Sequence, residues 1–164
     1  ASEFSKHHRQ NTISDIGVLK MKTDFDAFLY NFKGENELEL LNILQNKFKD
    51  NAIVIDFWAV WCSPCLQTMP YFKALQRNTS DIPVKFVYIC TSNSTNEQAW
   101  MNKIMELKQP GIHLFVEDKL VRKLMDILQL TGYPSYLIFK RNSAQSEKLE
   151  NIKELKKNDF LKFL

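Results

Sequence analysis

The chain has 164 residues, of which 45% are hydrophobic and 12% are aromatic, enough for one domain with a substantial core. The net charge of +3 is small and the basic residues are scattered, which argues against a nucleic-acid partner. Three cysteines argue against a disulfide scaffold, and no apolar run approaches the about 20 residues that cross a bilayer.

The first 32 residues are predicted to form an arm or linker that packs on the domain, and residues 33–164 the domain itself. The opening residues, "ASEFSKHHRQ", contain no apolar h-region, so no signal peptide is visible, and the chain can equally be a mature or trimmed form. His7 and His8 are interpreted as exposed residues rather than metal ligands. The segment 23–32 is apolar enough to contact the domain.

Helix-like and strand-like patterns alternate along the rest of the chain. Apolar spacing and capping residues predict helices over about 35–48, 62–78, 97–109, 118–130 and 158–164. Continuous apolar runs predict strands over 52–58, 84–90, 111–116 and about 135–140. This alternation predicts an α/β fold in which a central sheet is flanked by helices on both faces.

Cys62 and Cys65 stand two residues apart, directly after the predicted strand 52–58 and at the start of a predicted helix. At a helix N-terminus, free N–H groups and the positive end of the dipole stabilise a thiolate. The turn made by Ser63 and Pro64 is expected to present Cys62 outward and to tuck Cys65 behind it. An exposed nucleophile with a shielded resolving thiol suits thiol–disulfide exchange.

Two structural roles are the alternatives for this cysteine pair. A closed zinc site draws four Cys or His ligands from paired knuckles, and here Cys90 and His113 would have to complete it from separate strands. A permanently closed structural disulfide is the second alternative. The redox interpretation is favoured, with no metal and no cofactor beyond the two cysteines. Cys90 is interpreted as a core residue, with a third redox thiol as the alternative.

Asp56 interrupts an apolar run whose other members all indicate burial. Burial raises the pKa of a carboxyl group, because the charged form loses its water. A carboxyl that titrates near neutrality can accept the proton of Cys65 when that thiol attacks a mixed disulfide. The alternative is a buried aspartate whose oxygens are satisfied by a backbone hydrogen bond or by water.

Several segments together resemble the thioredoxin superfamily. "VIDFWAVWCSPC" resembles its active-site signature, "MP" at 69–70 matches the proline that kinks the active-site helix, and "GYPSYLIF" matches the loop that bears its cis-proline. "CLQTMPYFKAL", "KFVYICTSN" and "LVRKLMDILQLTGYPSYLIF" are most similar to the extracytoplasmic TlpA/ResA-like thiol–disulfide oxidoreductases, particularly those of Bacteroidetes. The resemblance covers residues 35–164.

The resemblance implies a thioredoxin-like fold with a central mixed sheet and a helix-plus-strand insert between "VYIC" and "GYP". It implies that Cys62 attacks, that Cys65 resolves, and that Tyr133 offers backbone hydrogen bonds to an extended substrate. The residues expected to contact substrate are Trp61, Ser63, Pro64, Tyr133 and Pro134. Many relatives carry Gly, Pro or Glu in place of Ser63, and a smaller residue in place of Tyr133.

The function expected from these features is reduction of disulfides in exported proteins through a mixed disulfide. Its partners would be disulfide-containing protein substrates and another dithiol that donates electrons. The alternative is a redox-sensing or docking module with little turnover. The resemblance also implies a monomer in an extracytoplasmic compartment, periplasmic or tethered to a membrane by an anchor outside this chain.

Overall fold

The structure, a computed structural model, describes residues 16–164 and contains one seven-stranded mixed sheet. The strands are β1 (Val18–Lys22), β2 (Ala27–Asn31), β3 (Ala52–Trp58), β4 (Val84–Thr91), β5 (Gly111–Val116), β6 (Ser135–Phe139) and β7 (Ser146–Lys148). Their order across the sheet is β1-β2-β5-β4-β3-β6-β7. The expectation for His7 and His8 lies outside the described residues.

Four α-helices in the described part of the chain connect or cover these strands. They are α1 (Glu37–Lys47), α2 (Ser63–Asn78), α3 (Glu97–Leu107) and α4 (Asp118–Ile127), and they agree with the predicted spans to within a few residues. The predicted final helix is present as a 3-10 helix, Lys157–Phe163, and is preceded by a shorter 3-10 helix at Ile152–Glu154. No helix of the described chain is both long enough and apolar enough to cross a bilayer.

The strand β3 lies inside the sheet, between β4 and β6, and its seven residues are all buried. It pairs in parallel with β4 and antiparallel with β6, while β4 and β5 pair in parallel. A strand with sheet neighbours on both edges and helices on both faces reads as a continuous apolar run. The predicted central mixed sheet is therefore confirmed.

Helices cover both faces of the sheet, as predicted. The helices α1 and α4 pack on one face, through Leu40 and Leu44 of α1 and Leu120 and Leu124 of α4. The helices α2 and α3 and the two 3-10 helices pack on the other face. Alternate residues of a strand face opposite sides, so Asp56 shares its side with Val54 and Trp58 and faces the α2 layer.

The predicted insert consists of α3 and β5. It leaves the sheet after β4, crosses the α2 face as α3, and returns as β5 between β2 and β4. Trp100 and Ile104 bury the apolar side of α3, and the Trp100 ring contacts Phe115 of β5 at a centroid distance of 5.2 Å. The insert thus extends the sheet and thickens the layer beside the cysteine helix.

Residues 18–31 form two strands that the sequence pattern does not predict. The strand β2 pairs in parallel with β5 from Ala27 opposite Gly111 onwards, and β1 pairs antiparallel with β2 at the edge of the sheet. The described part of the predicted arm is thus joined to the domain by backbone hydrogen bonds. A domain boundary at residue 33 stays a prediction.

Candidate active site

Cys62 and Cys65 form a disulfide at the start of α2. Cys62 is the N-cap residue, and its Sγ accepts a hydrogen bond from the Cys65 backbone N–H at 3.3 Å. Pro64 occupies the first turn, where the absence of its N–H breaks no helical hydrogen bond. The geometry directs the Cys65 N–H of the helix at the Cys62 sulfur, which lies at a helix N-terminus as the sequence predicts.

The two sulfurs differ in exposure, but less than the turn predicts. Cys65 is fully buried and Cys62 retains 4% of its surface, so Cys62 is covered rather than presented outward in the disulfide form. The large side chain at the surface here is Trp61, with 52% of its area exposed. Cys62 is thus the more exposed cysteine of the pair.

The Asp56 carboxyl is the main electrostatic feature beneath this helix. The side chain is 1% exposed, and neither oxygen has a hydrogen-bond partner among the described residues. Burial raises the pKa of Asp56 well above its usual value, because no neighbour compensates the lost hydration of the charged form. The interpretation that a backbone hydrogen bond satisfies this carboxyl finds no support in the structure.

Two tyrosines that the sequence analysis does not identify flank Asp56 in the sheet. Tyr88 of β4 and Tyr136 of β6 are its register partners on either side. Burial and the negative charge of Asp56 both raise the pKa of each phenol. The two tyrosines thus occupy the positions directly beside Asp56 on both neighbouring strands.

The hydroxyl groups of both tyrosines are committed to other partners. The Thr68 hydroxyl donates to the Cys65 carbonyl at 2.9 Å, so Tyr136 donates to Thr68 at 2.6 Å. Tyr88 donates to Gln76 at 2.6 Å and accepts from Gln109 at 3.0 Å. These hydrogen bonds fix the tyrosine rings without using the Asp56 oxygens.

The peptide bond between Tyr133 and Pro134 is cis, as the resemblance implies. Pro134 lines a groove together with Pro64, Thr68 and Tyr136. Among the described residues, neither the N–H nor the carbonyl of Tyr133 makes a backbone hydrogen bond. An extended peptide could therefore pair with the Tyr133 backbone.

The structure brings four of the five predicted substrate-contact residues to this region in two pairs. Pro64 and Pro134 share the groove, and Trp61 packs edge-on against Tyr133 with ring centroids 6.2 Å apart. Ser63 is exposed and its hydroxyl accepts from Gln67 at 3.4 Å, so it does not line the groove.

Cys90 and His113 do not join the cysteine pair. Cys90 is fully buried, and burial raises its thiol pKa, which makes it a poor nucleophile and supports the core interpretation. Burial lowers the pKa of His113 to about 4, and its Nε2 lies 2.8 Å from the Gln109 carbonyl. Within residues 16–164, no group of three or more His, Cys, Asp or Glu is placed to hold a metal ion.

A comparison with protein families matches residues 31–144 to the family described as Redoxin. The thioredoxin-like protein YneN of Bacillus subtilis is 42% identical over 67 residues, which are 41% of this chain and 36% of that protein. The chain thus matches only about a third of this relative's length.

Solved structures give the same fold. The thioredoxin domain of a thiol–disulfide oxidoreductase from Bacteroides vulgatus has a TM-score of 0.60 at 21% identity, covering 72% of this chain and 82% of that one. A thiol:disulfide interchange protein from Bacteroides sp. has a TM-score of 0.59 at 22% identity, covering 72% and 76%. At these identities the likeness shows the fold, and the predicted thioredoxin-like fold is confirmed.

The buried Asp56 carboxyl should make stability depend on pH. Because burial raises its pKa in the folded state, the unfolded chain ionises first as the pH rises above about 4. The resulting penalty on folding is absent below that pH and grows above it. We expect Asp56→Asn to raise the free energy of unfolding at pH 7 by about 1 kcal/mol or more, and to change it little at pH 3.

Urea unfolding of the oxidised protein at both pH values measures this difference. Asp126→Asn, which makes the same change at an exposed position of α4, is the matched control and should alter stability little at either pH. Equal effects of Asp56→Asn at pH 3 and pH 7 would contradict a raised pKa.

Proposed function

The chain belongs to the Redoxin family, and on that premise we propose that it is a thiol–disulfide oxidoreductase that reduces disulfides of other proteins through Cys62 and Cys65. The observation that carries the proposal is the position of the disulfide, at the N-terminus of a helix that covers a buried, unpartnered carboxyl. Helix N–H groups favour a thiolate on Cys62, and burial favours a protonated Asp56.

In the first step, the Cys62 thiolate attacks one sulfur of the substrate disulfide. The substrate S–S bond breaks, a bond forms between Cys62 Sγ and that sulfur, and the other substrate sulfur leaves as a thiolate that takes a proton from water. The Cys65 N–H that now contacts Cys62 Sγ stabilises the negative charge before attack.

In the second step, Cys65 resolves the mixed disulfide. Its thiol proton passes to the ionised form of Asp56, either directly or through water, and the resulting thiolate attacks Cys62 Sγ. The Cys62–Cys65 disulfide forms and the second substrate thiolate leaves. Two electrons thus move from the protein dithiol to the substrate, so the reaction needs no external cofactor.

The groove beside the disulfide suits an extended polypeptide substrate. Backbone groups of Tyr133 without partners can pair with a substrate strand, and such pairing accepts many sequences. Pro64 and Pro134 give the groove an apolar floor next to Cys62. Disulfide-containing proteins are therefore the proposed substrate class, and the small net charge supports no nucleic-acid partner.

A second protein must return electrons to the disulfide after each turnover, and another dithiol is the proposed donor. The resemblance of several segments to TlpA/ResA-like proteins supports an extracytoplasmic location, either free or tethered by an anchor outside this chain. A monomer is proposed, because a site that must accept two different protein partners in turn has to stay open.

A redox-sensing or docking module with little turnover is the second candidate. The 4% exposure of Cys62 favours it, because a covered sulfur reacts slowly. Trapping of a substrate adduct separates the two candidates.

Cys65→Ser should trap the mixed disulfide, because the thiol that displaces the substrate is gone. With an excess of a peptide that carries one intrachain disulfide, we expect most of the reduced variant to gain one peptide mass on Cys62 within minutes. Intact-mass spectrometry measures the adduct. Cys62→Ser should form none, and Cys90→Ser should behave as the wild type. No adduct with Cys65→Ser would favour the low-turnover module.

Asp56→Asn should slow the second step, because the amide accepts no proton from Cys65. We expect the mixed disulfide to resolve about a hundredfold more slowly at pH 7, and the difference to shrink near pH 9, where thiols ionise without help. Rapid-quench single-turnover kinetics separate this step from the first. Asp126→Asn is the control, and an unchanged resolution rate would exclude Asp56 as the proton acceptor.

The reduction potential should identify the direction of electron flow. A reductant of protein disulfides should equilibrate with glutathione at about −270 mV, the value of thioredoxin. Tryptophan fluorescence can follow the titration, since Trp58 and Trp61 lie close to the disulfide in the chain. Cys62→Ser should show no transition. A potential near −120 mV, that of a strong oxidant, would reverse the proposed direction.

A further inference from the structure

Trp61 is exposed but is not free to rotate. Its indole N–H donates to the Asn93 carbonyl at 2.8 Å, and its ring packs edge-on against Tyr133. Asn93 belongs to the loop between β4 and α3, so the orientation of Trp61 depends on a separate part of the chain. What holds this loop therefore also holds Trp61.

The loop is fixed by a cross-link to the start of α4. The Asn93 backbone N–H donates to the Thr91 hydroxyl at 3.1 Å, and that hydroxyl donates to Asp118 Oδ1 at 2.7 Å. The Asp118 backbone N–H donates in return to the Ser92 hydroxyl at 2.9 Å. The Thr91 hydroxyl joins β4 to α4, and the Ser92 hydroxyl joins the loop to α4. The Asn93 carbonyl, which accepts from Trp61, therefore has a defined position.

The Asp118 carboxylate is itself held from a second side. Its Oδ2 pairs with Arg122 one turn along α4 at 2.6 Å, which leaves Oδ1 directed at Thr91. Thr91 is fully buried, so the hydrogen bond between the two is shielded from water. The hydrogen bond between Thr91 and Asp118 thus starts from a strand of the sheet, not from the loop that it supports.

Tyr133 is the second aromatic residue of this region, and its ring packs against Trp61. Its hydroxyl oxygen is buried and has no hydrogen-bond partner among the described residues. Burial is the main cause that raises the pKa of the Tyr133 phenol. The Asp118 charge also raises this pKa, and Thr91 lowers it. The Trp61 ring thus contacts both Tyr133 and the Asn93 carbonyl. Asn93 is in turn held by Thr91, which donates to Asp118.

We propose that Thr91 and Asp118 are positioning residues, which hold Trp61, and through it Tyr133, as a fixed aromatic wall beside the substrate groove. The proposal rests on the proposed function, since it assigns the wall to recognition of a polypeptide around its disulfide. Rigid aromatic side chains bind at a lower entropic cost than mobile ones. A small disulfide that contacts only Cys62 would gain nothing from the wall, whereas a peptide would.

Asp118→Ala tests the proposal, because it removes the acceptor for Thr91 and leaves the cysteines and Asp56 in place. We expect the KM for a disulfide peptide to rise about three- to tenfold, the effect of having to order one flexible side chain on binding. The rate with 2-hydroxyethyl disulfide should stay unchanged. Asp118→Asn retains an acceptor oxygen and should restore most of the peptide affinity.

A second measurement reports directly on how firmly Trp61 is held. Trp58 and Trp100 are fully buried, so acrylamide quenching of tryptophan fluorescence reports mainly on Trp61. Quenching should increase in Asp118→Ala, and it should stay at the wild-type level in Asp126→Ala, which removes an exposed aspartate from the same helix. Should Asp118→Ala fail to fold, Thr91→Val removes the same hydrogen bond without changing side-chain volume much.

Unchanged peptide KM together with unchanged quenching would overturn the proposal. Equal losses with the peptide and the small disulfide would also overturn it, because they indicate damage to the cysteine pair rather than to the wall. A wild-type protein that reduces neither compound would contradict the proposed function instead. In that case quenching alone still decides whether Asp118 positions Trp61.

Discussion

The burial of β3 inside the sheet is the constraint on which the rest of the structure depends. Sheet neighbours on both edges and helices on both faces leave this strand almost no contact with water, and every residue of it except Asp56 is apolar. Where the run ends, the Cys62 N–H donates to the Ala59 carbonyl and α2 begins. The cysteine pair therefore lies at a helix N-terminus because the chain must turn where β3 ends.

The same burial gives two neighbouring groups opposite electrostatic preferences. Helix N–H groups at Cys62 favour a negative charge, whereas the surroundings of Asp56 disfavour one. No hydrogen bond from residues 16–164 compensates the carboxyl, so it lowers stability wherever it ionises. A proton that leaves Cys65 thus enters a site where the acid form is the stable one, which is the property that the proposed second step uses.

Local patterns predict the elements whose signal is complete within one segment. The bounds of β3 and β5 are those of their apolar runs, whereas β1 and β7 are edge strands with exposed faces and carry no such run. Cys62 and Cys65 were identifiable as a cysteine pair at the start of a predicted helix, and Asp56 as a charged residue inside an apolar run. Tyr136 and Asp118 were not, since their roles depend on strand register and on contacts between distant segments.

The two faces of the sheet contribute different parts of the proposed site. Asp56 and the cysteine helix lie on the α2 face, whereas Thr91 and Asp118 belong to the α4 side and reach Trp61 around the ends of the strands. Trp61 and Asn93 are 32 residues apart, and only the sheet brings them together. Reactivity of the sulfurs and orientation of the groove are thus set by separate hydrogen-bond networks, so substrate recognition can change without altering the chemistry of the cysteine pair.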